Sequence, residues 1–132
     1  MKNYKTRLVS GILIEKGRVL LGFRINTKAF AEFWSLPVGH VKSGESDHVA
    51  IVREMAEELG ITVLRATPVY QLTDEAESIF HQVYKIDEWI TDANNNQPEN
   101  REPELCRELK WHDLKALPNK ITPITQCILD KI

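Results

Sequence analysis

The sequence predicts a mixed α/β chain of the α+β kind, in which a mixed β-sheet is covered by helices on both sides. Three observations lead there: one amphipathic helix set between β-rich runs, a second helix at the carboxyl end, and hairpin-length connections between several runs. Period alone leaves the strand order open.

The first β-rich run covers Arg7 to Ile14 and the second Arg18 to Arg24. Between them Glu15-Lys16-Gly17 has hairpin length and a glycine, so a meander is expected to begin here. From Ile25 to Ser35 polar and aromatic residues mix without a period, which reads as a loop leading to Trp34 and Leu36-Pro37. Ser46 to Leu59, bounded by Gly44 and Gly60, reads as a helix. Val49, Val52, Met55, Ala56 and Leu59 recur at a spacing that buries one side, and Gly60 supplies the stop. Strand-like runs follow at Ile61 to Leu72 and Ile79 to Ile90. Thr91 to Glu104, rich in Asn, Pro and charge, is expected to be an exposed loop. A short strand near Leu109 to His112 and a helix from about Pro123 to Ile132 close the chain, and no repeat is visible.

A chain of 132 residues with 42% hydrophobic and 27% charged residues fits one compact domain spanning residues 1–132. Its 17 basic and 19 acidic residues give a formal charge of −2, so there is no global positive field to attract a nucleic acid polymer, and any nucleotide partner is expected to be small. Lys2, Lys5 and Arg7 precede an apolar run, Leu8 to Ile14. Ser10 and Gly11 interrupt that run and Glu15-Lys16 end it, so it is too short for a signal peptide or a membrane span. Cys106 and Cys127 form no close metal-binding pair. They read as buried or half-buried fillers in a protein of the reducing cytoplasm. Monomer and homodimer both remain open.

Glu54, Glu57 and Glu58 stand at i, i+3 and i+4 of the expected helix, so their side chains share an arc of about 100°. That face is expected to lie opposite the apolar stripe. Like charges at this spacing cost an isolated helix a few tenths of a kcal/mol per pair, and Arg53, four residues before Glu57, offsets only part of the charge. A hard divalent cation would offset the rest, and magnesium prefers a few carboxylates with water and phosphate. On spacing alone a solvated acidic face is the commoner explanation.

The wider pattern bears on that choice. Gly39 is followed after five residues by Glu45, then after seven more by Arg53-Glu54-Met55-Ala56-Glu57-Glu58-Leu59-Gly60-Ile61. This resembles the full signature of the Nudix hydrolase family, with Met55 a mild variant at one aliphatic position. A chance match in a chain of this length is on the order of one in ten million, which weighs against the solvated face. The resemblance implies an α/β/α sandwich. It further implies that Glu54, Glu57 and Glu58 bind metal and activate water, that the Gly39 carbonyl joins them, and that Arg53 and Glu45 hold the carboxylates in position. Some relatives use a glutamate outside this helix as general base, so proton abstraction is assigned to the cluster without choosing one residue.

The resemblance continues along the chain. Leu20-Leu21-Gly22-Phe23-Arg24 is similar to a family strand in which a basic residue faces phosphate, so Arg24 is a candidate phosphate ligand or else a surface cation. Phe33, with Phe30 and Trp34, is a candidate stacking surface for a base, with a core role as the alternative for Trp34. Asn119 is a candidate for the base edge or an ordinary turn residue. The segment Asn100-Arg101-Glu102-Pro103-Glu104-Leu105-Cys106, with Trp111 and Leu117-Pro118, resembles the MutT-like branch that hydrolyses nucleoside triphosphates, oxidised purine nucleotides included. Glu104 or Glu102 is a candidate extra metal ligand, against a solvated loop charge. His40 reads as a loop residue and His48 as helix surface, because magnesium sites prefer oxygen. Relatives usually carry Gly-Gly where this chain has Val38-Gly39, and a β-branched residue resists positive φ, so the turn there is expected to differ.

The implied reaction is magnesium-dependent hydrolysis of a nucleoside triphosphate to monophosphate and pyrophosphate, with manganese as a substitute ion. ADP-ribose or a dinucleoside polyphosphate is the alternative substrate. A nucleotide-sensing module without turnover and a prenyl diphosphate isomerase are the non-hydrolase alternatives. Both are disfavoured by the intact signature.

Overall fold

The computed structural model describes residues 3–132. Ten elements follow in order: β1 Thr6–Ile12, β2 Ile14–Glu15, β3 Arg18–Arg24, β4 Trp34–Ser35, β5 Val38–His40, α1 Asp47–Leu59, β6 Ile61–Asp74, β7 Ile79–Thr91, β8 Cys106–Asp113 and α2 Pro123–Leu129.

The strands make two sheets. The first has the order β5-β1-β7-β6 and is mixed: β1 runs parallel to β7, from Thr6 opposite Ile79 to Ile12 opposite Lys85, and the other pairs are antiparallel. In the second, β3 pairs antiparallel with β2, β4 and β8. The expected hairpin forms, but its first arm is only Ile14–Glu15. Lys16 (φ 53°) and Gly17 (φ 74°) make a two-residue turn of the kind that matches strand twist, and it joins β2 to β3. The longer β1 leaves for the other sheet, so the opening is not a simple meander.

Alternation along the strands builds two cores. Leu20 of β3 and Tyr84 and Ile86 of β7 pack with Ile51, Met55 and Leu59 of α1. Val19, Leu21 and Val83, next to them in sequence, pack with Ile128 and Leu129 of α2. Each helix therefore covers its own core, which is the expected helix cover on both sides.

Helix α1 starts at Ser46, whose side chain accepts the Val49 N–H at 3.1 Å, and it ends at Gly60 in the left-handed region with φ 66°. Other boundaries moved. β8 begins at Cys106 and α2 ends at Leu129. Cys106 is half-buried, but Cys127 is exposed on α2 and fills no core. No helix among the described residues is long and apolar enough to cross a membrane.

Candidate active site

The buried side of α1 agrees only in part with the apolar spacing: of the five spaced residues, Met55, Leu59 and the half-buried Val52 face the core. Ala50, Ile51, Met55 and Leu59 are buried, whereas Val49 is 53% exposed and Ala56 is also exposed. At about 100° per residue the four buried residues span about 180° of the helix, and Glu54 and Glu58 project inside that span, with Glu57 about 20° beyond it. The acidic face therefore overlaps the packed face instead of opposing it. Glu58 bears the consequence. Its carboxyl is pushed up to about 9, first by burial and then by Glu54, Glu102 and Glu57. Its Oε2 is buried without a hydrogen-bond partner.

Arg53 organises the rest of the cluster. Its Nε and Nη2 donate to the two oxygens of Glu45 at 2.6 and 2.8 Å, and Nη2 also donates to the His40 carbonyl at 2.9 Å. Its Nη1 donates to Glu54 Oε1 at 2.8 Å and to Glu57 Oε2 at 3.2 Å. Glu45 also accepts the Lys42 N–H at 2.8 Å. The Arg53 bond first, and this N–H second, hold the Glu45 carboxyl down at about 2. The same Glu45 bond raises the Arg53 guanidinium above its ordinary value. One side chain thus ties the loop before α1, strand β5 and two helix carboxylates together.

Gly39 lies on β5 directly against Glu54, and a Cβ there would overlap the Glu54 carboxyl. Val38, where relatives usually carry glycine, lies in the same strand opposite Ser10. A β-branched residue suits extended backbone, so the positive φ that it would resist is not required. His40 ends this strand and is not a loop residue, while His48 is exposed on α1 as expected.

Beside the cluster lies a cleft of about 290 Å³. Phe23, Leu36, Pro37 and Leu109 give it apolar lining, and Arg24, Glu58, Asn100 and Glu102 are among its polar residues. Arg24 donates from Nη2 to the Ala29 carbonyl at 3.2 Å, and its Nε is buried without a partner. Burial lowers its pKa and Glu58 opposes the shift. The segment expected to be a purely exposed loop closes one wall. The Glu99 N–H donates to the Leu59 carbonyl at 2.8 Å and the Arg101 N–H to the Glu58 carbonyl at 3.1 Å. A Cβ on Gly60 would come within 2.5 Å of Arg101 Nε, so the glycine that ends α1 also makes room for this segment.

Of the two loop glutamates, Glu102 lines the cleft. Its carboxyl is raised by burial first, then by Glu54, Glu104 and Glu57. Glu104 is exposed, and its carbonyl accepts from Asn26 Nδ2 at 3.0 Å. Phe33 and Asn119 do not line the cleft. Phe33 packs edge-on against Phe30 at 5.5 Å with the Lys120 ammonium 5.8 Å from its ring, and Asn119 is exposed ahead of α2. Phe23, Asn100 and Cys106 line the cleft but were not read as site residues from the sequence, although each stands in a segment that resembles the family. Among the described residues no three His, Cys, Asp or Glu side chains form a ready-made metal cluster. Arg53 takes one oxygen each of Glu54 and Glu57, leaving the second oxygen of each outside those bonds.

The NUDIX domain description matches residues 5–131. The chain is similar to a crystal structure of a MutT NUDIX hydrolase from Burkholderia pseudomallei, with TM-score 0.83 and 29% identity over 100% of this chain and 99% of that one. It is 31% identical to an 8-oxo-dGTP diphosphatase of Haemophilus influenzae over 77% of this chain and 73% of the relative. It is 26% identical to an RNA pyrophosphohydrolase of Dinoroseobacter shibae over 88% and 81%. Matches to three other curated relatives are shorter and span only 40% to 46% of their length.

Proposed function

This chain belongs to the Nudix family, and we propose that it hydrolyses the diphosphate linkage of a nucleoside triphosphate, oxidised purine triphosphates included, to a monophosphate and pyrophosphate in a magnesium-dependent reaction. The observation that carries this reading is the buried, unpartnered Glu58 Oε2 standing among Glu54, Glu57 and Glu102 at the wall of a cleft that also holds Arg24. A carboxylate so placed needs a proton or a cation. The donor set is all oxygen, which suits magnesium, with manganese as a substitute. The Cβ-less Gly39 leaves Glu54 its place beside β5.

Glu54, Glu57, Glu58 and Glu102 would hold the ion, with the Gly39 carbonyl. We take Glu102 in preference to Glu104 because it is the one in the cleft. When bound, magnesium would supply an acidified water and neutralise charge on the phosphate oxygens. The protein supplies the rest. Arg24 offers a cation to a phosphate oxygen from a partly buried position, where its charge is little screened. Arg53 and Glu45 fix the carboxylates, and the glutamate cluster accepts the proton of the attacking water. The apolar cleft residues Phe23, Leu36, Pro37 and Leu109 accept the face of a base.

Residues 1–132 act in this reading as one hydrolase domain, as a monomer or homodimer, on a small nucleotide, without a nucleic acid polymer or a membrane. We place it in the cytoplasm on its sparse cysteine usage, two residues in 132.

Chromatographic product analysis with magnesium tests the reading over four substrate groups: ordinary and 8-oxo purine triphosphates and a 5′-triphosphorylated RNA, each read as pyrophosphate released, ADP-ribose, read as AMP and ribose 5-phosphate, and dinucleoside polyphosphates, read as their two nucleotide products. Turnover of free triphosphates above the other three groups is expected. Exclusive turnover of the RNA or of ADP-ribose would replace the substrate. No turnover of any of them would overturn the hydrolase reading.

A further inference from the structure

Glu102 is held through its own backbone on both sides. Its N–H donates to Asn100 Oδ1 at 3.1 Å, and its carbonyl accepts the N–H groups of Leu105 at 3.0 Å and Cys106 at 2.9 Å. Asn100 is anchored in turn. Its Nδ2 donates to the carbonyl of Cys106, the first residue of β8, at 2.7 Å. On either side of it, the Glu99 and Arg101 N–H groups donate to the last carbonyls of α1. Asn100 therefore stands where the end of α1, the start of β8 and the backbone of Glu102 meet, and it lines the cleft together with Glu102 and Glu58.

We propose that Asn100 is a positioning residue that aims Glu102 at the carboxylates of α1, and that this aim sets the affinity of the site for a divalent cation. The inference rests on the metal-dependent reading above. An amide meets the requirement because it carries a donor and an acceptor on one short side chain: aspartate has no proton for the Cys106 carbonyl, and alanine offers neither group. An Asn side chain that accepts the N–H two residues on fixes the intervening backbone. Glu102 thereby gives up its freedom during folding and not when an ion binds. Partners that orient a metal ligand contribute roughly 10–100-fold in affinity.

Manganese binding to the full chain, read as loss of the free-ion EPR signal, tests the proposal with wild type, Asn100→Ala, Glu102→Gln and the double variant. Each single change is expected to weaken binding roughly tenfold. The double variant is expected to bind no more weakly than Glu102→Gln alone, since Asn100 acts through Glu102. Unchanged affinity in Asn100→Ala, or multiplied losses in the double variant, would overturn the proposal. If the alanine variant does not fold, Asn100→Ser keeps an acceptor for the Glu102 N–H and is expected to bind within roughly threefold of wild type. A loss in a folded serine variant as large as that of Glu102→Gln would overturn it as well. Wild type that binds no manganese at all would remove the metal reading itself and the proposal with it.

Discussion

Replacing Arg53 with lysine keeps the charge and removes the geometry. The guanidinium donates five hydrogen bonds, to Glu45 twice and to Glu54, Glu57 and the His40 carbonyl once each. An ammonium has three protons on one nitrogen, so at least two of these bonds are lost. The Glu57 bond counts for little, since that side chain is 49% exposed. The Glu45 and Glu54 side chains are only 14% and 13% exposed, so bonds to them are the ones that matter. At about 1 kcal/mol net for each, Arg53→Lys costs about 2 kcal/mol. For a chain of this size that is roughly 6–10 °C in Tm. The loss of orientation at Glu54 and Glu57 is expected to lower kcat/KM by roughly 10–100-fold at saturating magnesium. Thermal unfolding by circular dichroism and steady-state pyrophosphate release read the two effects. A Tm within about 2 °C of wild type, together with a rate within roughly threefold, would refute the idea that the fork of Arg53 holds the site together.

Three further outcomes are expected. Glu57→Gln and Glu58→Gln should each reduce turnover at least roughly a hundredfold while circular dichroism reports an intact fold, and near-wild-type rates in both would remove the helix from the chemistry. Gly39→Ala should lower kcat roughly tenfold or more, because its Cβ displaces the Glu54 carboxyl, whereas the extended backbone tolerates alanine. A fully active alanine variant would show that Glu54 need not sit there. His81 is buried and its pKa is lowered to about 4 by burial, so the folded chain binds this proton less readily than the unfolded chain. The stability tied to neutral His81 should be complete above about pH 6.5 and decline as the pH falls toward 4, by about 3 kcal/mol in all. Titration of His81 near 6.5, followed by NMR, would contradict this.

What could be read from the sequence was local. The patterned run from Ser46 to Leu59, its Gly60 stop and the 39–61 signature all lie within one short stretch of chain, and α1 forms where they indicate. The inward side of α1 is rotated from the expected stripe, keeping Val52, Met55 and Leu59 but not Val49 or Ala56, because tertiary packing decides it. β1, β5 and β6 pack on α1, with Ala50 and Ile51 buried and Val49 and Ala56 left outside, while Glu58 is turned to the cleft beside Arg24 and Glu102. The departure of β1 from the hairpin was hidden for a similar reason, since its partners β5 and β7 lie far along the chain. Asn100 looked like loop chemistry because its environment is made by Cys106 and the end of α1, neither of which its own segment announces. Val38 shows the reverse: a departure from the usual glycine that looked costly is accommodated by strand pairing with Ser10.

The most direct test follows the products of a purine nucleoside triphosphate by phosphorus NMR, first with magnesium, then with excess chelator, then with magnesium or manganese restored. Monophosphate and pyrophosphate should appear with the metal, stop in chelator and return when either ion is added back. Undiminished cleavage in chelator, or orthophosphate and nucleoside diphosphate as the only products, would contradict the assignment of the α1 carboxylates as the grip on a polyphosphate-bound cation.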